Sequence, residues 1–192
     1  MTVTSANKAT YVLVHSAFTG PWAMQSVANN LRKEGFKVLT PELPAHGEDK
    51  IPAKDVKFSD YVNVVVKVLD KLEEKVILMG HSFAGAIISE VAEQRPEKIT
   101  SLVYLTAALM PNGTSFYENI KDADSVFTKN LVINEEKGFV TIGNGKTHEA
   151  YGEDIPLEAF KAAEPSIVPE PLAPLLHKVY RTTKHVRKAL KY

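Results

Sequence analysis

The 192-residue sequence contains no cysteine, which excludes a disulfide framework, a thiolate nucleophile and a cysteine-ligated zinc site. No metal and no cofactor is expected. Net charge is also lacking: 23 Lys and Arg balance 23 Asp and Glu, so neither nucleic acid nor an anionic membrane surface is an expected partner. No run approaches the ~20 apolar residues of a membrane span. The opening stretch, Met1 to Ala9, has neither the basic start nor the apolar segment of a secretory signal, so a cytoplasmic location is expected. What remains, 44% hydrophobic and 24% charged, fits one domain of ordinary size. Its charge is unevenly spread. No acid follows Glu170, so the chain carries −6 up to that residue and +6 after it, from Lys178, Arg181, Lys184, Arg187, Lys188 and Lys191. Cations interleaved with Val179, Tyr180, Val186 and Leu190 read as a solvated helix face.

Two periodicities alternate up to residue 110. Tyr11 to Val14 is a short continuous apolar run, the pattern of a parallel strand covered on both faces. Pro21 opens a helix whose stripe is Met24, Val27, Ala28 and Leu31, closed by Gly35. A strand is expected over Lys37 to Thr40, and a helical stripe runs from Phe58 through Tyr61, Val62, Val65, Val66 and Leu69 to Leu72. Val76 to Met79 is a third strand, followed by Ser82 and a helix of small and apolar residues ending at Arg95-Pro96; Ser101 to Leu105 is a fourth strand. Such alternation predicts an α/β fold with a mostly parallel sheet and helices on both faces. Past Met110 the texture changes to a helix near 115–130, a hairpin over Leu131 to Ile142, a helix near Leu157 to Ala163, and a return path stiffened by prolines 165, 169, 171 and 174. This segment reads as an insertion, giving a core at 1–106, a cap at 107–180 and a return toward the core at 181–192.

Gly80-His81-Ser82-Phe83-Ala84-Gly85 follows a strand directly and opens a helix, the setting of a nucleophile elbow. A serine at a sharp strand-to-helix turn needs small neighbours two before and two after, and Gly80 and Ala84 meet that need, with alanine where the usual pattern has glycine. The loop after the first strand, His15 to Trp22, lies at the same sheet edge, where open α/β sheets place their ligands. Backbone amides there complete an oxyanion hole with the residue after the nucleophile, which assigns the role to Ala17 and Phe83.

The motifs Y-V-L-V-H-S-A-F at 11–18, E-L-P-A-H-G at 42–47 and M-G-H-S-F-A-G at 79–85 resemble those of the α/β-hydrolase superfamily, in the branch of plant methylesterases, hydroxynitrile lyases and bacterial esterase relatives. The likeness is specific from Tyr11 to about Met110 and weak through the cap to P-L-A-P-L-L at 171–176. It implies that Ser82 is the nucleophile, that Ala17 and Phe83 supply the oxyanion amides, and that a cap covers an acyl pocket. Ser16, Phe18, His81, Tyr117 and Phe127 are the candidate substrate-binding residues. Esterases of the branch carry glycine at position 16 and hydroxynitrile lyases threonine; this chain has serine.

A serine nucleophile needs a base, and the base an orienting acid. The resemblance places both after the cap, whereas this chain stops at Tyr192, short of two strands with their helices, on the order of fifty to seventy residues. The six histidines, His15, His46, His81, His148, His177 and His185, are weak substitutes. The expectation is a hydrolase of a small ester, acting through an acyl group on Ser82, with the base and acid outside this chain. A hydroxynitrile-lyase-like enzyme and a non-catalytic ligand-binding homologue stay open. An apolar strand at Ser101 to Leu105, left as a sheet edge, predicts self-association, an exchanged element or poor solubility.

Overall fold

The protein is described by a computed structural model covering residues 8–180. Strand β1 (Thr10–Val14) leads through a 3-10 turn (Pro21–Met24) into α1 (Gln25–Lys33), then to β2 (Lys37–Leu39), α2 (Phe58–Asp70), β3 (Val76–His81), α3 (Ala84–Gln94) and β4 (Ile99–Leu105). The four strands form one parallel sheet in the order β2-β1-β3-β4. The α/β expectation therefore holds, with boundaries within two residues for most elements. α1 closes at Gly35 as expected, where the Phe36 amide donates to the Leu31 carbonyl at 3.1 Å.

Alternation along the strands decides which layer each side chain joins. Val12, Val14, Val76, Leu78 and Leu102 meet α2 and α3 in the main core, with the α2 stripe of Tyr61, Val62, Val65, Val66 and Leu69. Leu13 and Val38 turn the other way and pack with Met24 and Ala28 beneath α1. The two faces are unequally covered. In β3, Val76, Leu78 and Gly80 are buried while Ile77, Met79 and His81 are only half-buried.

Residues beyond 110 form α4 (Phe116–Ile120), α5 (Val126–Lys129), β5 (Leu131–Asn134), β6 (Phe139–Ile142), α6 (Thr147–Tyr151), α7 (Leu157–Ala163), β7 (Glu170–Pro171) and α8 (Leu172–Leu176). The hairpin expected over 131–142 is present as β5 and β6, antiparallel. The single helix expected near 115–130 is instead two, because two serines each begin a helix. The Ser115 hydroxyl accepts the Glu118 amide and the Ser125 hydroxyl the Thr128 amide, both at 3.1 Å, so the chain restarts at the second cap. The proline-rich return also contains a strand the sequence did not suggest. β7 pairs with β6 at the edge of a three-stranded sheet, where a proline's missing donor is tolerated. The expected return at 181–192, with the basic residues Arg181, Lys184, Arg187, Lys188 and Lys191 and with His185, lies outside the described residues. Among those described, β4 pairs with β3 alone.

Candidate active site

Ser82 lies between the end of β3 and the start of α3 with φ of +52°, a left-handed conformation that costs a non-glycine residue about 1–3 kcal/mol. Backbone bonds hold it there. The Ser82 amide donates to the Leu105 carbonyl at 3.3 Å, and its carbonyl accepts from Gly85 at 3.0 Å and Ala108 at 2.9 Å. Two glycines make room. A Cβ on Gly80 would stand 2.8 Å from the Ala84 carbonyl oxygen, and one on Gly85 would press on the Ala108 backbone, 2.8 Å from its nitrogen. The tight position after the serine is thus 85, which is why Ala84 is accommodated where glycine is usual.

The Ser82 hydroxyl has no hydrogen-bond partner among the described residues and faces a cavity of about 370 Å³. Ser16, Ala17, His81, Thr106 and Tyr151 form its polar side with Ser82, and Phe116, Ile120 and Phe127 are apolar walls from the segment beyond residue 110. That volume is in the range of small-molecule sites. The Ala17 and Phe83 amides also lack partners among the described residues, leaving two N–H donors beside the serine, one of them at the start of the eleven-residue helix α3. Burial lowers the His81 pKa, so this cavity histidine is neutral at neutral pH.

Of the candidate substrate-binding residues, Ser16, His81 and Phe127 stand on the wall with Ser82. Phe18 and Tyr117 do not line this cavity. Phe18 has φ of +63°, which turns its ring into the protein, edge-on to Phe127 and Tyr151 at 5.9 and 5.8 Å. Tyr117, next to the wall residue Phe116, is half-buried and packed against the main core. Thr106, at φ +42°, and Tyr151 are wall residues that the sequence did not single out.

Beside the cavity is a buried polar cluster absent from the sequence reading. The Glu170 carboxylate, fully buried, accepts the Phe18 amide and His46 Nε2 on Oε2, both at 2.8 Å, and the Tyr61 hydroxyl on Oε1 at 3.0 Å. His46 Nδ1 donates to the Pro44 carbonyl at 2.9 Å, so with Nε2 bonded to a carboxylate both ring nitrogens carry protons. Burial opposes that charge, but Glu170 outweighs it and the His46 pKa lies above its usual value. Burial and the same carboxylate push Tyr61 well above the usual tyrosine range. His15, 5.1 Å from His46 ring to ring, is the reverse case. Its Nε2 accepts the Leu43 amide at 3.2 Å and its Nδ1 donates to the Ser16 carbonyl at 3.0 Å, while burial and the His46 charge lower its pKa to about 3.

The other described histidines have separate partners. His148 donates to the Ile155 carbonyl at 2.8 Å, and His177 stacks on Phe58 with centroids 4.6 Å apart. No described histidine bonds the Ser82 hydroxyl.

Residues 11–129 match the sequence model of the alpha/beta hydrolase fold. The chain belongs to the α/β-hydrolase family. Among its relatives, a chain named for a chloroplastic methylesterase of Arabidopsis thaliana is 40% identical over 108 residues, covering 55% of this chain and 28% of that protein. A carbendazim-hydrolyzing esterase of a Nocardioides species is 38% identical over 109 residues, covering 56% of this chain and 45% of the relative. The solved structure of an extracellular α/β-hydrolase from a Paenibacillus species superimposes with a TM-score of 0.77 at 27% identity, over 91% of this chain and 72% of its own. The matched stretches span less than half the length of these two relatives.

Proposed function

We propose that this α/β-hydrolase chain carries the nucleophile, oxyanion amides and acyl pocket of an esterase for small esters, with Ser82 forming the acyl-enzyme. The observation that carries the reading is Ser82 itself: a strained serine between strand and helix, its hydroxyl unpartnered on a cavity wall. Strain of this kind needs a reason, and presenting Oγ to a substrate supplies one. The names of the methylesterase and carbendazim-hydrolyzing relatives point to ester cleavage.

In this reading the ester carbonyl sits against Ser82 Oγ. Attack forms the C–O bond to Oγ while the carbonyl electrons move onto oxygen, where the Ala17 and Phe83 amides stabilise the negative charge. Collapse expels the alcohol and leaves an acyl group on Ser82, which water removes. Residues 107–180 serve as the cap, with Phe116, Ile120 and Phe127 around the acyl chain. The base that takes the Ser82 proton lies outside residues 8–180. Losing one oxyanion donor costs about 10²–10³ in rate, and losing the base about 10⁴–10⁶ in kcat.

The test is hydrolysis of p-nitrophenyl acetate by the chain and by Ser82→Ala, with and without added imidazole as a stand-in base. A rate that imidazole raises in the unaltered chain beyond its effect on Ser82→Ala supports the reading. Equal rates in the two proteins at every imidazole concentration refute it.

A further inference from the structure

The loop that presents the Ala17 amide is held mainly by residues distant in sequence. Both polar ends of the Ala17–Phe18 peptide unit are taken: its carbonyl accepts the Tyr151 hydroxyl at 2.7 Å, and its N–H donates to Glu170 Oε2 at 2.8 Å. The next carbonyl, of Phe18, accepts the Val168 amide at 2.9 Å. Tyr151, Val168 and Glu170 all belong to the segment beyond residue 110. The preceding carbonyl, of Ser16, accepts His15 Nδ1 and the Thr19 hydroxyl, both at 3.0 Å. Every carbonyl from 16 to 18 and the Phe18 N–H are therefore fixed, and no described residue takes the Ala17 N–H.

Glu170 is the centre of this arrangement. A carboxylate with no exposure requires compensation, and it receives three donors from three different parts of the fold: the Phe18 loop, His46 in the loop after β2, and Tyr61 in α2. Such an ion pair is costly to assemble, and an apolar contact would join the same elements with less desolvation. What an apolar side chain lacks is an acceptor for the Phe18 N–H. We propose that Glu170, charged and held by His46 and Tyr61, is a positioning residue that orients the Ala17–Phe18 peptide unit and thereby aims the Ala17 amide at the oxyanion. Tyr151 holds the opposite end of the same peptide unit. Among the described residues the groups facing the pair are His15, Tyr61, Glu42, Asp60 and Tyr151, and the Leu43 amide bond keeps His15 neutral, so none of them is a second cation competing for the carboxylate.

The role assigned to the Ala17 amide rests on the esterase reading; the hold on the loop does not. The test uses the full 192-residue chain, ¹⁵N-labelled, in its unaltered form and as Glu170→Gln, Glu170→Ala and Tyr151→Phe. Exchange of the Phe18 amide is compared with that of Val12 and Ile87, core amides that report overall stability. Glu170→Gln, which keeps the shape, is expected to speed Phe18 exchange about 10–100-fold relative to those core amides, the equivalent of one charge-assisted hydrogen bond. The His46 ring ¹⁵N signals are expected to change from the doubly protonated to the neutral pattern. Tyr151→Phe should move the Ala17 and Phe18 signals and leave His46 doubly protonated. If Glu170→Ala does not fold, Glu170→Gln and Tyr151→Phe still decide. Phe18 exchange that only tracks the core amides, or an unchanged His46 in Glu170→Gln, overturns the proposal. A second arm follows acetylation of Ser82 by p-nitrophenyl acetate in imidazole. Slowing of tenfold or more in Glu170→Gln is expected, and an unchanged rate overturns the positioning role. If the unaltered chain is not acetylated, the esterase reading fails, while the exchange arm still decides whether Glu170 holds the loop.

Discussion

Replacing Gly85 by alanine sets two effects of opposite sign against each other. Gly85 lies inside α3, where helix propensity alone makes alanine the better residue by about 1 kcal/mol. The surroundings oppose it. The new Cβ would press on the Ala108 carbonyl oxygen, lie 2.8 Å from the Ala108 nitrogen and 3.0 Å from the Ala107 side chain. Two of these contacts are backbone, so relief requires the chain after β4 to move away from α3. That movement strains the packing by about 1–3 kcal/mol. It also stretches the 2.9 Å bond from the Ala108 amide to the Ser82 carbonyl, a further ~1 kcal/mol. The steric terms together exceed the propensity gain, and the expected net effect is a loss of about 1–3 kcal/mol, read as a lower urea midpoint with unchanged slope. Ala84→Gly is the control: it creates no clash and is expected to lose only about 0.5–1 kcal/mol through helix propensity. A Gly85→Ala protein with a raised urea midpoint would refute the claim that position 85 is the tight point of the elbow.

Three further outcomes follow from the core and the buried histidines. His15, with its folded pKa near 3, leaves the unfolded chain with the extra proton at any pH between about 3 and 6.5, so stability falls as pH drops through that window. His46 is protonated in both states below about 6.5 and adds no slope there, whereas the half-buried His81, also lowered, adds in the same direction. Urea midpoints between about pH 6.5 and 4.5 should drop by the equivalent of about 2–3 kcal/mol, and His15→Gln should remove most of that drop. Leu69→Ala, at a fully buried site in the α2 stripe, should cost about 2–5 kcal/mol by urea unfolding. Ser125→Ala removes the cap that starts α5 beside the cavity and should cost about 1 kcal/mol, read the same way.

The sheet was legible because each strand is a short apolar run and each helix between them a stripe, and local patterns of that kind survive packing. The elbow was legible because strand, serine, small residues and helix are contiguous. The Glu170 cluster was not, because its partners lie 109, 124 and 152 residues away and each looks ordinary in its own neighbourhood. Tyr61 reads as one more member of the α2 stripe, His46 as a loop histidine in A-H-G, and Glu170 as an acid in a proline-rich return. Phe18 escaped for a local reason, since a positive φ at a phenylalanine has no sequence signal. The break between α4 and α5 was legible in hindsight from Ser115 and Ser125, two N-caps ten residues apart.

Mass spectrometry of the chain after incubation with p-nitrophenyl acetate and imidazole shows whether Ser82 is the nucleophile. An acetyl group is expected on the peptide containing Ser82 and is absent from Ser82→Ala. Acetylation confined to lysines, with Ser82 unmodified, would contradict it.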